Sequence, residues 1–190
     1  EDIEQRQSPI PGKNLVLTLD IQLQKFCEEL LANQQGSIVV LDADTGSVLA
    51  MASSPTYDPN IFVTKGKDTE RIELLQNKQP NRMTNRAISE QYPPGSVFKV
   101  FLAATALEKG VINSKTTFFC PGSFKIGGTG REWKCWQKYG HGAVTVREAL
   151  AYSCDVFFYN VGLKLGVDTI SEYCHKLGLG EKTGIDLPGE

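Results

Sequence analysis

Tyr92-Pro93-Pro94-Gly95-Ser96-Val97-Phe98-Lys99 is the stretch on which the reading of this chain turns. Two prolines end the segment before them, because proline fixes φ and keeps its preceding residue extended, and Gly95 leaves room for a substrate backbone. From Val97 onward the chain is apolar nearly all round until Gly110 stops it, the pattern of a buried central helix. Between Val97 and Ala106 the one charged residue is Lys99, three positions after Ser96. That spacing predicts both side chains on one helix face, within reach of each other. A serine hydroxyl is a poor nucleophile until a neighbouring base takes its proton, and apolar surroundings favour the neutral amine that can do so. Backbone N–H groups at the helix start would face the oxygen that gains charge during attack. S-x-x-K arises by chance in many chains. Here it occurs once, and a lone charge in an apolar helix is costly without a purpose.

Upstream, residues 1–13 read as an extended lead-in and residues 14–190 as one domain or most of one. Leu15, Val16, Leu17 and Leu19 suggest a short strand, and Asp20 can cap a helix carrying Leu23, Phe26, Leu30 and Leu31. Ser37 to Leu41 and Ser47 to Ala52 are apolar runs joined by Asp42-Ala43-Asp44-Thr45-Gly46, a hairpin composition. Pro55 to Asn81 is a polar excursion with one helical candidate at Glu70 to Gln76. Downstream, Thr145 and Glu148 form a capping box that opens a helix. Helices over Val156 to Leu165 and Thr169 to Leu177 close at Gly166 and Gly178, so the later chain reads as helical with the strands near the start. The net charge of −2 has no basic stripe, which argues against nucleic acid as a partner. With no long apolar run, leader pattern or initiator Met, the chain reads as an excised soluble segment whose parent carries its own anchor.

The stretch from Asn85-Arg86-Ala87 through Lys99 resembles the active-site approach of class B penicillin-binding proteins. So do Leu17-Thr18-Leu19-Asp20 with Gln24, Val48-Leu49-Ala50-Met51, Pro55-Thr56-Tyr57-Asp58-Pro59-Asn60, His141-Gly142 and Gly184-Ile185-Asp186-Leu187-Pro188-Gly189-Glu190. The resemblance covers nearly the whole chain in order, and is strongest to the elongation, rod-shape subclass. It implies an α/β (α+β) fold of the serine β-lactamase and penicillin-binding transpeptidase type, a helical subdomain with the first strands of an antiparallel sheet. It also implies a peptidoglycan D,D-transpeptidase that cross-links stem peptides through an acyl-Ser96 intermediate and is acylated by β-lactams. Further implications are a membrane glycosyltransferase and cell-elongation proteins as partners, at the periplasmic face of the bacterial inner membrane. A serine β-lactamase or D,D-carboxypeptidase, and a non-catalytic penicillin-sensing or docking module, are the competing readings.

By the same resemblance the family's Ser-x-Asn motif falls on Ser153-Cys154-Asp155, with Ser153 relaying protons and Asp155 orienting Lys99 or the substrate amide. The trio must occupy a turn between helices, since residues i and i+2 diverge on a helix. Asp155 departs from the family asparagine, and a carboxylate beside Lys99 would favour its ammonium form. Asp155 is then turned away, or shares a proton with Lys99, or merely caps the next helix. Lys182-Thr183-Gly184 spells the family's third motif, but it follows a glycine-rich helix exit. The strand-borne copy is expected beyond Glu190, leaving the chain catalytically incomplete alone.

Cys120, Cys135, His141 and Cys154 lie from between the two motifs into the second, a ligand set suited to a closed, structural zinc that would pin the turn at Cys154 and the loop Gly127 to Gly130. A Cys120–Cys135 disulfide and inert buried thiols stay open as alternatives, because the spacing lacks a C-x-x-C knuckle and five cysteines cannot all pair. Cys27 and Cys174 read as small apolar helix residues, His175 as solvent-facing, and Trp133 and Trp136 as local core.

Overall fold

Asp20 starts the first regular element, because its Oδ1 accepts the N–H groups of Gln22 and Leu23 at 2.9 and 3.0 Å and so caps α1 (Ile21–Leu30). The computed structural model describes residues 10–76, 81–127 and 130–190. These form two compact units, one reaching to Gln91 with Gly189, the other comprising Tyr92–Pro188 with Glu190.

In the first unit α1 lies on an antiparallel hairpin of β1 (Gly36–Leu41) and β2 (Val48–Ser54). Gln24 locks helix to sheet by accepting the Met51 N–H at 2.8 Å and donating to the Met51 carbonyl at 3.0 Å. Asp42 holds the hairpin turn, its Oδ1 accepting the Thr45 N–H and hydroxyl, each at 2.8 Å. The small core is Cys27, Leu31, Ala50 and Ala52. The expected strand at Leu15 to Leu19 does not form. Leu15 and Val16 are almost fully exposed, and the segment is tethered by Thr18 Oγ1 on the Val48 carbonyl and by the Asp20 N–H on the Leu49 carbonyl. An apolar run makes a strand only where a neighbour completes its ladder. Of the expected lead-in, residues 1–9 lie outside the described residues. Beyond the hairpin come α2 (Asp68–Gln76) and α3 (Arg86–Ser89), the latter capped by Asn85.

In the second unit a 3₁₀ turn at Gly95–Val97 leads into α4 (Phe98–Glu108). α4 is buried on one side rather than all round. Ala103, Thr105 and Ala106 are buried, while Val97, Val100 and Leu107 are exposed. An apolar composition cannot reveal that the packing partners, α5 (Val146–Ala151) and α6 (Asp155–Lys176), cover a single face. Between α4 and α5 the chain makes four short strands, which corrects the expectation that strands lie only near the start. β3 (Thr117–Cys120) pairs with β6 (Gly142–Thr145), and β4 (Ser123–Lys125) with β5 (Glu132–Lys134), both antiparallel. Runs of three or four residues are too short to display a two-residue alternation. Of the loop Gly127 to Gly130, residues 128 and 129 lie outside the described residues. The two late helices form as one element with a break at Gly166, whose φ of 75° and ψ of 159° are not helical. Phe157 is fully buried at the centre of this unit with Val144, Val156 and Val161, its ring edge-on to Phe118 at 5.1 Å.

Candidate active site

Gly95 takes φ 58°, a left-handed conformation suited to glycine, and turns the chain out of Pro93-Pro94 so that exposed Ser96 precedes α4 by two residues. Lys99 sits in the first turn of α4 with its side chain 12% exposed. The two are linked through a third group. The Ser153 hydroxyl donates to Ser96 Oγ at 2.8 Å and accepts from Lys99 Nζ at 3.0 Å. Lys99 Nζ also donates to the Ser153 carbonyl at 2.8 Å and to Asp155 Oδ1 at 2.6 Å. Three acceptors thus meet the three N–H donors of an ammonium group.

The Ser153 bend is built by the end of α5. The Cys154 N–H reaches the Ala149 carbonyl at 2.9 Å and the Ser153 N–H reaches the Leu150 carbonyl at 3.2 Å, the two bonds of a Schellman motif. The left-handed residue of that motif is ordinarily glycine. Here it is Ser153 at φ 51°, one of two described non-glycine residues at positive φ, the other being Asn33. The strain buys a hydroxyl at the bend between α5 and α6, where it can bridge Ser96 and Lys99.

Asp155, the first residue of α6, is neither turned away nor a helix cap. Its Oδ1 takes Lys99 and its Oδ2 accepts the Trp136 N–H at 3.1 Å. Sequence reading placed Trp133 and Trp136 in local core. Trp136 is instead 65% exposed, with its indole N–H on the Tyr152 carbonyl at 2.9 Å, and Trp133 is 36% exposed. The adjacency of Trp136 to Cys135 was the one signal that could have tied it to this turn. Lys182-Thr183-Gly184 lies in irregular backbone, as expected of a copy that is not the strand motif.

Cys120 ends β3, Cys135 follows β5, His141 precedes β6 and Cys154 joins α5 to α6, so four elements bring one side chain each to a single point. Their ligand atoms all lie within 4.8 Å of one another, and the three cysteines are buried free thiols. The loops press together at Gly140, where a Cβ would lie 2.0 Å from the Cys120 carbonyl oxygen. His141 Nδ1 is 3.7 Å from Cys120 Sγ and 3.6 Å from Cys135 Sγ. A tetrahedral zinc with usual bond lengths has S···N edges of about 3.6 Å, so the donor set fits that ion. The ring is held by stacking rather than by a second hydrogen bond. Tyr152 lies parallel to it at 5.8 Å, Trp136 stands edge-on at 5.3 Å, and the buried Nε2 has no hydrogen-bond partner. Burial, with the neighbouring thiols adding to it, pushes the Cys154 thiol up to about 12. For Cys120 burial is again the largest single effect and acts in the same direction, but the hydrogen bonds of the His141 and Gly122 backbones and of the Cys154 and Cys135 thiols together outweigh it, and the thiol falls below its ordinary value. Cys27 is buried in α1, Cys174 is half-buried, and His175 is largely solvent-facing beside Glu181.

Residues 36–190 match the family described as the penicillin binding protein transpeptidase domain. The peptidoglycan D,D-transpeptidase MrdA of Escherichia coli K12 is 42% identical over 182 residues, 96% of this chain, and its counterpart in Acinetobacter baumannii is 37% identical over 185 residues, 97% of this chain. The chain spans 29% of the length of the first relative and 27% of the second. Among solved structures, Pseudomonas aeruginosa PBP2 in complex with WCK 5153 superposes with a TM-score of 0.85 at 38% identity, covering 96% of this chain and 41% of that one. PBP2 of Helicobacter pylori, solved in complex with MreC, gives 0.81 at 35% identity, covering 90% and 32%. With the Ser96 turn, Lys99 and the Ser153 bend falling inside the matched residues, the chain belongs to the penicillin-binding protein transpeptidase family.

Proposed function

We propose that the protein works as a serine-type peptidoglycan D,D-transpeptidase of the cell-elongation class. The observation that carries this reading is the unbroken hydrogen-bonded path Ser96–Ser153–Lys99–Asp155. To act as base Lys99 must be an amine, and Asp155 Oδ1, its acceptor at 2.6 Å, is the neighbour placed to take the third proton. Ser96 Oγ attacks the carbonyl of a D,D peptide bond, and its proton passes through Ser153 to Lys99. The tetrahedral intermediate then breaks its C–N bond, the leaving amine takes the proton back along the same path, and an acyl-Ser96 ester remains. A second stem-peptide amine attacks that ester, gives up a proton by the reverse route and frees Ser96. β-Lactams acylate the same hydroxyl and hold it as a slowly hydrolysed ester.

Zinc on Cys120, Cys135, His141 and Cys154 would take no part in these steps. With four protein ligands it offers no open position, so its contribution is to fix the turn carrying Ser153 and Asp155. Metal analysis should find about one zinc per chain; its absence, together with a mapped Cys120–Cys135 disulfide, defeats the assignment. The partner of the H. pylori relative suggests an elongation scaffold of the MreC kind for this protein too, and a membrane glycosyltransferase completes the assembly. Action at the periplasmic face of the inner membrane follows from the substrate. Among the described residues no helix is long and apolar enough to cross a membrane.

The test is labelled penicillin on the full gene product. A long-lived adduct on the Ser96 peptide, abolished by Ser96→Ala, supports the transpeptidase; rapid release points to a β-lactamase or carboxypeptidase, and no labelling ends the acyl-enzyme account.

A further inference from the structure

Within residues 130–140, Gly-Arg-Glu-Trp-Lys-Cys-Trp-Gln-Lys-Tyr-Gly, only Cys135 is buried, and the large rings are left outside. Trp136 is 65% and Tyr139 85% exposed, with Trp133 at the margin. Arg131, Lys134 and Lys138 make the same segment cationic in a chain whose net charge is −2. The single acid, Glu132, is engaged by the Ser123 hydroxyl at 2.7 Å. Cations and rings are presented together: the Arg131 guanidinium lies 4.2 Å from the Trp133 ring centroid and Lys138 Nζ 5.7 Å from that of Tyr139.

This strip is continuous with the candidate active site. Trp136 binds Asp155 through its N–H and the Tyr152 carbonyl through its indole. Trp133 stands 6.3 Å from the ring of Tyr159, whose hydroxyl donates to the Lys134 carbonyl at 3.4 Å. Asp155 and Tyr159 are four residues apart on α6 and share one face, so the strip runs along that face for about one helical turn, roughly 6 Å, from the Ser153 bend. Its base is tied at two places, by the pairing of β5 with β4 and by Cys135 in the cysteine–histidine cluster. Exposed rings gathered at one place mark a binding surface, and the cations among them select an anionic ligand that also carries apolar surface.

We propose that this strip is a subsite for the carboxylate-bearing stem peptide of the glycan strand being joined, with Arg131 and Lys138 pairing its carboxylates and Trp136 and Tyr139 covering its apolar faces. The proposal rests on the transpeptidase reading and deepens it, by naming what holds the anionic part of the substrate while its D,D end lies at Ser96. Contact with Asp155 favours a peptide substrate over an anionic membrane, because a lipid headgroup needs no connection to the nucleophile.

The experiment measures, by calorimetry on the full gene product, binding of a soluble disaccharide-pentapeptide, of the same compound with its non-terminal carboxylates amidated, and of phosphatidylglycerol vesicles. The R131E/K138E variant should bind the acidic muropeptide roughly tenfold more weakly or worse, and the amidated compound should bind wild type about as weakly as the acidic one binds the variant. Tyr139→Ala should weaken both compounds, since stacking is blind to charge. Should charge reversal lower the melting temperature, Arg131→Gln with Lys138→Gln carries the same expectation. Equal affinity of wild type and variant, or equal binding of acidic and amidated compounds, overturns the subsite. Vesicle binding without muropeptide binding overturns it in favour of a membrane-facing role. Penicillin labelling of wild type runs alongside. Failure to label rejects the transpeptidase reading itself, whereas labelling with unaltered muropeptide affinity in the variant rejects the subsite alone.

Discussion

At position 153 a side chain with a Cβ occupies φ 51°, a conformation that costs most L-residues about 1 kcal/mol or more. Glycine would relieve that cost but would leave Ser96 and Lys99 without the hydroxyl that joins them. Ser153→Gly and Ser153→Ala therefore separate stability from chemistry. Both should slow acylation of Ser96 by labelled penicillin by roughly 10²–10⁴, the range for a lost proton-transfer group. Denaturant unfolding should find the glycine variant more stable than the alanine variant by about 1 kcal/mol. Equal stabilities would mean the bend relaxes without strain, and undiminished labelling would remove Ser153 from the proton path. Ser96 and Lys99 were legible as a pair because spacing and a lone charge are written in the sequence. That the link between them runs through Ser153 was expected only in outline, since a hydrogen bond across 57 positions depends on tertiary packing. Asp155 was legible as a position but not as a contact. Its two oxygens are shared between Lys99 and the Trp136 N–H, and the second partner belongs to a loop whose course no local pattern reveals.

Among the elements, α5 has its start spelled out by Thr145 and Glu148, and the capping interaction forms. The Glu148 carboxylate accepts the Thr145 N–H at 2.8 Å and the Thr145 hydroxyl at 2.7 Å. Those bonds, the backbone one first, hold Glu148 below the ordinary glutamate range, with Arg147 adding to the effect. A carboxyl whose folded value is depressed contributes stability that is fully present above its unfolded value and is lost as pH falls through the lower folded one. The expected outcome is that unfolding titrations of wild type and Glu148→Gln converge as pH drops through that acidic window and stay apart above it. A difference independent of pH would assign the effect to packing rather than to the charge. α1, the β1–β2 hairpin and the break at Gly166 were legible for a similar reason, namely a cap, a turn or a glycine at a defined place. β3 to β6 were not. Glu132-Trp133-Lys134 is too short for its alternation to be read as a pattern, and becomes a strand because Ser123–Lys125 lies beside it. Leu15 to Leu19 had the composition of a strand but no such neighbour.

On the scale of the whole molecule, the second unit converges on the cysteine–histidine cluster. Cys120, Cys135 and Cys154 belong to the same buried core as Phe157 and Val161, so β3, the loop after β5 and the α5–α6 bend all end at one point. The first unit has its own core in Cys27, Leu31, Ala50 and Ala52, which contains none of these ligands. If the cluster holds the proposed zinc, its withdrawal should act unevenly. Without the ion, the buried Cys154 returns to a protonated thiol, since burial holds its value near 12, and three sulfurs and an imidazole are left packed with no bond between them. Chelator treatment followed by amide hydrogen exchange should strip protection from β3, β6 and the first turn of α6, and leave that of β1 and β2 unaltered. Penicillin labelling of Ser96 should slow in the same samples and recover on adding zinc, because the bend that presents the Ser153 hydroxyl is the segment that loosens. Uniform loss of protection in both units would make the ion a global clamp. Unchanged exchange at β3 and α6 would show that packing around Phe157 holds the bend without any metal.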